Sequence, residues 1–173
     1  AYDGDTVREV SGQAGGPLKK IIALEPDPKN FRKLTAFAET YQGDLSCIHA
    51  GIYDRDTVIP FANKAGRHSS VSRDGAGIPI TMRSIDSVMG TQPVSIIKMD
   101  VEGEERLAIA GGKTVLMRDC PRLIVSAYHR NEDLFELPLQ ISKSNPAYRI
   151  YLRQHPYIPA WDNTIYAVKE GFL

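Results

Sequence analysis

The sequence predicts an α/β protein whose sheet is mostly parallel and ends in an antiparallel hairpin. Short apolar runs alternate with segments of helical periodicity, which is typical of strands that are joined by helices. The C-terminal part carries two segments rich in Tyr, Ile and Val, which is typical of paired strands. Because 173 residues suffice for one hydrophobic core, we expect a single domain over residues 1–173.

The first half of the chain predicts a strand, a helix and a parallel strand. Residues 21–24 form a continuous apolar run that ends at a break with two prolines, which is typical of a buried strand. Apolar residues then recur at helical spacing over residues 30–41, and residues 45–50 form a second apolar strand. Two strands joined by a helix of this length form a right-handed parallel unit.

The second half begins with an inserted segment. Over residues 57–89 apolar residues alternate and glycines and prolines interrupt them, which predicts short antiparallel strands. A helix interrupted at Gly111-Gly112 and a C-terminal hairpin are the other notable features. The remaining predicted elements are buried strands over residues 95–99 and 122–127, helices over residues 104–118 and 131–142, and hairpin strands over residues 148–154 and 164–169.

The composition argues against several kinds of partner. The chain has 21 Lys and Arg and 21 Asp and Glu, so we expect neither nucleic acid nor an anionic membrane surface as a partner. No apolar stretch reaches the roughly 20 residues that a membrane span needs. Cys47 and Cys120 lie far apart in or beside apolar runs, which is typical of reduced thiols, so we expect a cytoplasmic protein.

A glycine turn and an acidic residue have the spacing of a nucleoside site. Asp3-Gly4-Asp5 lies about 20 residues before Glu25, which follows the strand over residues 21–24. In such a site the acid accepts hydrogen bonds from ribose hydroxyls, and the glycine lets the backbone approach the ligand. Glu25 could instead stabilise the start of the following helix, so the spacing leaves both interpretations open.

Two carboxylates and a histidine follow the next two strands. Asp100 and Glu102 come after residues 95–99, where they could hold a cationic ligand group, a metal ion or a proton. Glu102 could also stabilise the N-terminus of the next helix. His129 follows the strand over residues 122–127 and is a candidate general base near neutral pH, or a structural histidine.

Read together, five stretches resemble the FkbM family of S-adenosylmethionine-dependent methyltransferases. They are AYDGDTV, IIALEPDPKNFRKL, HAGIYD, SIDSV and IIKMDVEGEERLAIAGG, of which KMDVEGEE is the most specific. The resemblance implies a Rossmann-like methyltransferase sandwich with a seven-stranded, mostly parallel sheet. It also implies that the central first strand lies before Ala1, so that the chain is an N-terminally truncated domain.

The resemblance implies methyl transfer from S-adenosyl-L-methionine to a hydroxyl oxygen of a sugar or a small metabolite. We expect Asp100 and His129 to be the catalytic residues, and the resemblance leaves the participation of a divalent metal open. The implied cofactor contacts are Asp3, Gly4 and Asp5 at the methionine and ribose, Glu25 at the ribose hydroxyls, Gly51 and Ile52 at the adenine, and Asp100 with Glu102 at the methionine and acceptor.

Two other classes of function remain open from the residues alone. A nicotinamide-dependent oxidoreductase uses the same strand, turn and acid, but it needs G-x-G-x-x-G, and residues 3–10 contain one glycine. A non-catalytic domain could retain the nucleotide-binding fold. Binding of S-adenosylhomocysteine but not of NADH distinguishes a methyltransferase from the oxidoreductase. Turnover of an acceptor distinguishes it from the non-catalytic domain.

Overall fold

The computed structural model describes residues 1–13, 18–62, 70–71, 77–154 and 162–171. Its helices are α1 (Asp5–Gln13), α2 (Pro28–Thr40), α3 (Ile85–Met89), α4 (Glu105–Ala110), α5 (Lys113–Asp119) and α6 (Asp133–Ser144). Its strands are β1 (Ile21–Leu24), β2 (Leu45–Ile48), β3 (Gly51–Ile52), β4 (Thr57–Ala62), β5 (Ser70–Val71), β6 (Ile78–Arg83), β7 (Ile96–Met99), β8 (Arg122–Ser126), β9 (Tyr148–Gln154) and β10 (Asn163–Lys169). Among the described residues, no helix is both long and apolar enough to span a membrane.

The chain divides into two compact units. The first unit comprises Ala1–Gly51 with Thr57–Met82, and the second comprises Ile52–Asp56 with Arg83–Leu173. In the first unit β1 and β2 pair in parallel, with Ile21 opposite Leu45 and Leu24 opposite Ile48. Since α2 joins these strands, the predicted strand, helix and parallel strand are confirmed.

Helix α2 begins where the sequence provides a complete start signal. The Asp27 carboxylate accepts hydrogen bonds from the backbone N–H groups of Lys29 at 2.8 Å and Asn30 at 2.9 Å. Pro28 occupies the first turn, where its missing N–H costs nothing. The apolar face is anchored by Leu34, which is fully buried. Both capping and burial therefore stabilise this helix.

Helix α1 was not predicted, since the sequence around Asp3-Gly4-Asp5 indicates only a turn. Its apolar signal is short, and Val7 is its buried hydrophobic residue among those described. Gly12 also lies inside the helix, where glycine has low helical propensity. Packing of Val7, rather than local propensity, therefore accounts for the helix.

The inserted segment, predicted as short antiparallel strands over residues 57–89, contains such strands, but its last part, Ile85–Met89, forms helix α3 instead. Strand β4 pairs with β6, with Thr57 opposite Met82 and Phe61 opposite Ile78. Strand β4 also pairs antiparallel with β5, and the order in this sheet is β3-β6-β4-β5.

The second unit is built around a mixed four-stranded sheet with the order β7-β8-β10-β9. Strands β7 and β8 are parallel, whereas β10 pairs antiparallel with β8 and β9, which confirms the C-terminal hairpin. Helices pack on this sheet and bury a continuous apolar core, and removal of this surface from water stabilises the unit. Its fully buried side chains include Ile109, Val115, Leu116, Leu123, Val125, Leu137, Ile141 and Ile165.

The stretch SIDSV connects two helices of the second unit, α3 and α5. Ser84 caps α3 by accepting a hydrogen bond from the N–H of Ser87 at 3.1 Å. The Asp86 carboxylate accepts hydrogen bonds from the N–H groups of Thr114 at 3.0 Å and Val115 at 2.9 Å at the start of α5. One short motif therefore supplies the N-terminal caps of two helices.

We expect Asp86→Ala to destabilise the protein by about 1–2 kcal/mol, because two N–H groups at the start of α5 lose their acceptor. Thermal unfolding should then occur roughly 2–8 °C lower. Asp86→Asn retains one acceptor oxygen and should lose less. Equal unfolding temperatures for wild type and Asp86→Ala would contradict the capping role.

Two details of the predicted fold differ from the structure. Within the described residues the strands form sheets of two, four and four strands, and a single seven-stranded, mostly parallel sheet is not shown. Strands β1 and β7 were expected to be buried, but in these strands only Ala23 and Met99 are buried, and Ile96 is 40% exposed. Both strands lie at the edge of their sheets, so fewer neighbours cover them.

Candidate active site

The parallel pairing of β7 and β8 brings the residues after both strands together. Met99 lies opposite Val125, so Asp100 and the Tyr128-His129 pair leave the sheet at the same edge. The Tyr128 hydroxyl donates to Asp100 Oδ1 at 3.0 Å, and His129 Nε2 lies 2.9 Å from the same oxygen. Polar groups that follow two different strands therefore meet at one edge of the sheet.

Two more carboxylates face the His129 ring. Glu105 Oε1 lies 3.5 Å from Nε2, and Glu102 Oε2 lies 3.8 Å from Nδ1. We call Asp100, Glu102, Glu105, Tyr128 and His129 the Asp100 cluster. The side chain of Asp100 is 39% exposed and that of His129 is 11% exposed, so the cluster runs from the surface into the second unit.

The charges of this cluster shift the pKa values of its members. Burial acts to raise the pKa of Asp100, but the hydrogen bond and charge of His129 outweigh it, with help from Lys98 and Tyr128, and lower that pKa to about 2. Burial acts to lower the pKa of His129, but Asp100, Glu105 and Glu102 outweigh it, so its pKa lies above the usual value.

Glu105 is the member of the cluster that sequence reasoning missed. It was interpreted as part of a helix, and α4 does begin with it, yet its side chain is 1% exposed. Oε1 accepts a hydrogen bond from the N–H of Val101 at 2.9 Å, whereas buried Oε2 has no hydrogen-bond partner among the described residues. Burial raises the pKa of Glu105. The stretch EGEE contains three acidic residues within four positions, and this was the sequence signal that could have identified Glu105.

The turn between Asp100 and α4 adopts unusual backbone angles. Glu102 has φ +56°, which is uncommon for a residue with a side chain, and Gly103 follows with φ +94°. A Cβ atom on Gly103 would lie 3.1 Å from the side chain of Arg130. The turn directs Glu102 toward His129 three residues before α4 begins, so Glu102 does not cap that helix.

Glu25 lies in the first unit, where backbone groups hold its carboxylate. Oε2 accepts from the Ala1 amino group at 3.0 Å and from the N–H of Tyr2 at 2.7 Å. Oε1 accepts from the N–H of Asp27 at 3.1 Å. Because Asp27 itself caps α2, Glu25 positions the start of this helix without capping it.

The glycine turn that precedes α1 packs against α2. Gly4 has φ +89°, and a Cβ atom there would lie 2.3 Å from Phe37 Cδ1, so this position requires glycine. Asp3 Oδ1 is buried without a hydrogen-bond partner among the described residues, with Arg8 at 3.6 Å. Asp5 is exposed and begins α1, where its carboxylate accepts from the N–H of Thr6 at 2.7 Å.

The predicted adenine contacts lie in β3. In the first unit Gly51 is buried, and a Cβ atom there would lie 2.6 Å from Met82 Sδ. In the second unit Ile52 is partly buried and packs against the hydrophobic core. Gly51 therefore has a packing reason to be glycine, independent of any ligand.

Comparisons with known proteins identify the family. The model of the methyltransferase FkbM domain matches residues 1–159, which is most of the chain. The chain belongs to the FkbM methyltransferase family. Methyltransferase FkbM from Methylobacillus flagellatus KT, known from a crystal structure, has a similar fold, with a TM-score of 0.81 and 27% sequence identity. The similarity covers 96% of this chain and 41% of that protein, so the chain spans about two-fifths of its length. A search of curated proteins finds no match.

Membership of the FkbM family confirms the resemblance that the five stretches suggested. In this FkbM chain the most specific stretch, KMDVEGEE, runs from the end of β7 through the left-handed turn into α4. It therefore supplies Asp100, Glu102 and Glu105, three of the five members of the Asp100 cluster. SIDSV and the Gly111-Gly112 pair have packing and capping roles instead.

Proposed function

We propose that this chain transfers a methyl group from S-adenosyl-L-methionine to a hydroxyl oxygen of a sugar or another small metabolite. The observation that carries the proposal is the match to the FkbM methyltransferase domain over residues 1–159. That match also supports the proposal that residues 1–173 form one methyltransferase domain with a Rossmann-like fold.

The proposed cofactor contacts have chemistry that fits S-adenosylmethionine. A carboxylate offers about four lone-pair positions, and backbone groups use three of those on Glu25, so one remains for a ribose hydroxyl. Oδ1 of Asp3, which accepts no hydrogen bond from the described residues, can accept one from the cofactor. The full proposed set is Asp3, Gly4, Asp5, Glu25, Gly51, Ile52, Asp100 and Glu102.

The Asp100 cluster suits the orientation of an acceptor and the removal of its proton. An ionised carboxylate can only accept hydrogen bonds. His129 Nε2 faces the Asp100 carboxylate, so in the neutral imidazole the ring hydrogen lies on Nε2. Nδ1 is then the basic nitrogen and can take the proton of the acceptor hydroxyl. The cofactor supplies a methyl group on a sulfonium, which needs mainly alignment with the attacking oxygen.

We expect Glu25→Ala to weaken binding of S-adenosylmethionine by about 1–3 kcal/mol, because a ribose hydroxyl loses a charge-assisted partner. Isothermal titration calorimetry on folded protein measures the change. The matched control is Asp27→Ala, which removes the cap of α2 and should lower the unfolding temperature without weakening binding. Unchanged affinity in Glu25→Ala, or equal losses in both variants, would refute the ribose contact.

The same titration tests the proposed reaction against the alternatives. S-adenosylhomocysteine should bind and NADH should not. Methyl transfer from labelled cofactor to a panel of sugars and hydroxylated metabolites should then yield a methylated product. Binding of NADH in place of S-adenosylhomocysteine, or cofactor binding without turnover on any acceptor, would count against the proposal.

A further inference from the structure

Three side chains of the second unit offer metal-ligand atoms at one place. One carboxylate oxygen each from Asp100 and Glu105 and one ring nitrogen of His129 lie within 4.8 Å of one another. His129 Nε2 lies 2.9 Å from Asp100 Oδ1 and 3.5 Å from Glu105 Oε1. Ligand atoms that share one ion at a bond length near 2.1 Å are separated by about 3.0–3.4 Å in octahedral or tetrahedral geometry. The two separations from His129 Nε2 lie within about 0.1 Å of this range.

The buried carboxylate of Glu105 is an independent sign that something is bound there. Its side chain is 1% exposed, and its Oε2 has no hydrogen-bond partner among the described residues. A buried acceptor without a partner is costly, and such groups are rare in folded proteins unless an ion or water satisfies them. Two further carboxylates lie near the same imidazole, so negative charge exceeds positive charge around the ring.

We propose that Asp100, Glu105 and His129 bind one divalent transition-metal ion of the Mn²⁺ or Zn²⁺ type. Carboxylates suit Mn²⁺ and imidazole suits Zn²⁺, whereas the absence of sulfur ligands argues against soft ions. Neighbouring groups hold the ligands in place, as metal sites require: Tyr128 donates to Asp100, and the N–H of Val101 donates to Glu105. The ion replaces the hydrogen on His129 Nε2, and the hydrogen on Nδ1 then faces Glu102.

The ion's catalytic use rests on the proposed methyl transfer, but its binding does not. A hydroxyl group bound to such an ion would have a lowered pKa, which would favour release of its proton to solvent water. In that case His129 serves as a ligand and not as the base. Metal binding is therefore measured without S-adenosylmethionine, so that failure of this inference and failure of the proposed function give different results.

The experiment uses Mn²⁺ as the probe on chelator-treated protein, with bound ion counted by electron paramagnetic resonance. One ion per chain is expected, with spin-echo modulation from the imidazole nitrogen of His129. Glu105→Gln and His129→Asn should each weaken Mn²⁺ binding about 100-fold or more. The matched control is Glu104→Gln, whose carboxylate pairs with Arg130 at 3.2 Å, and this variant should bind as wild type does.

Circular dichroism shows whether each variant is folded. If Glu105→Gln does not fold, the Mn²⁺ affinity of Asp100→Asn tests the site instead, because Asp100 is the more exposed ligand. The absence of stoichiometric binding would overturn the proposal, as would equal binding by wild type and the ligand variants. If Glu105→Gln is more stable than wild type and no variant changes the Mn²⁺ signal, a proton and not an ion neutralises the Glu105 carboxylate. This result would also overturn the proposal.

Discussion

Asp100→Asn should lose methyl transfer about 100-fold or more while the protein stays folded. Asparagine retains the shape and one acceptor oxygen for Tyr128 and His129, but it removes the charge that fixes the tautomer of the ring. Because the carboxylate is 39% exposed, solvent screens its contribution to stability, and we expect the unfolding temperature to fall by only a few degrees. Initial rates with labelled S-adenosylmethionine and thermal unfolding measure the two effects.

The control for this prediction is Asp119→Asn, the same chemical change in the same unit but outside the Asp100 cluster. Asp119 accepts a hydrogen bond from the N–H of Val94 at 3.0 Å and pairs with Arg118. Its variant should lose some stability and retain normal activity per folded molecule. If Asp100→Asn behaves in that way too, Asp100 is a structural residue and the proposed catalytic role is wrong.

Gly111→Ala should destabilise the protein by about 2–3 kcal/mol, because the new methyl group has no room. A Cβ atom there would lie 2.2 Å from the backbone oxygen of Tyr53 and 3.0 Å from Asp54 Cα. Backbone hydrogen bonds to Leu107 and Asp86, both 2.9 Å, hold Gly111 in place, so the clash is not easily relieved. Chemical or thermal unfolding measures the loss, which corresponds to roughly 4–12 °C.

Gly12→Ala is the matched control, because no atom of the described residues lies within 4 Å of a Cβ atom at this helical position. Alanine has the higher helical propensity, so this variant should equal or slightly exceed wild type in stability. Similar unfolding temperatures for Gly111→Ala and Gly12→Ala would show that the contact with residue 53 is looser than described, and the packing explanation would fail.

Local patterns were sufficient for elements that carry their own signals. Apolar residues at helical spacing over residues 30–41 predicted α2, which spans Pro28–Thr40, and the interruption at Gly111-Gly112 separates α4 from α5 as expected. Alternation predicted antiparallel strands in the inserted segment, and a high content of Tyr, Ile and Val predicted the hairpin of β9 and β10. These signals depend on residues that are close in sequence, such as apolar residues three or four positions apart in a helix or two positions apart in a strand.

The same patterns failed where the outcome depends on distant packing. Helix α1 has two apolar residues, Val7 and Val10, and β1 and β7 have the composition of central strands although they lie at the edges of their sheets. Apolar composition reports how much burial a segment could gain, whereas the neighbours that provide the burial come from elsewhere in the chain. Exposure of Ile96 follows from that difference.

The sequence by itself determined the family, the order of most elements and the importance of the stretch KMDVEGEE, because these depend on motifs and short-range spacing. Only the tertiary structure decided which side chains meet. Parallel pairing of β7 with β8 brings Asp100 to His129, which is 29 residues away, and the turn through Glu102 and Gly103 leads the chain back so that Glu105 is buried beside the same ring. A distance across 29 residues is set by strand register and turn geometry, and neither can be read from one segment alone.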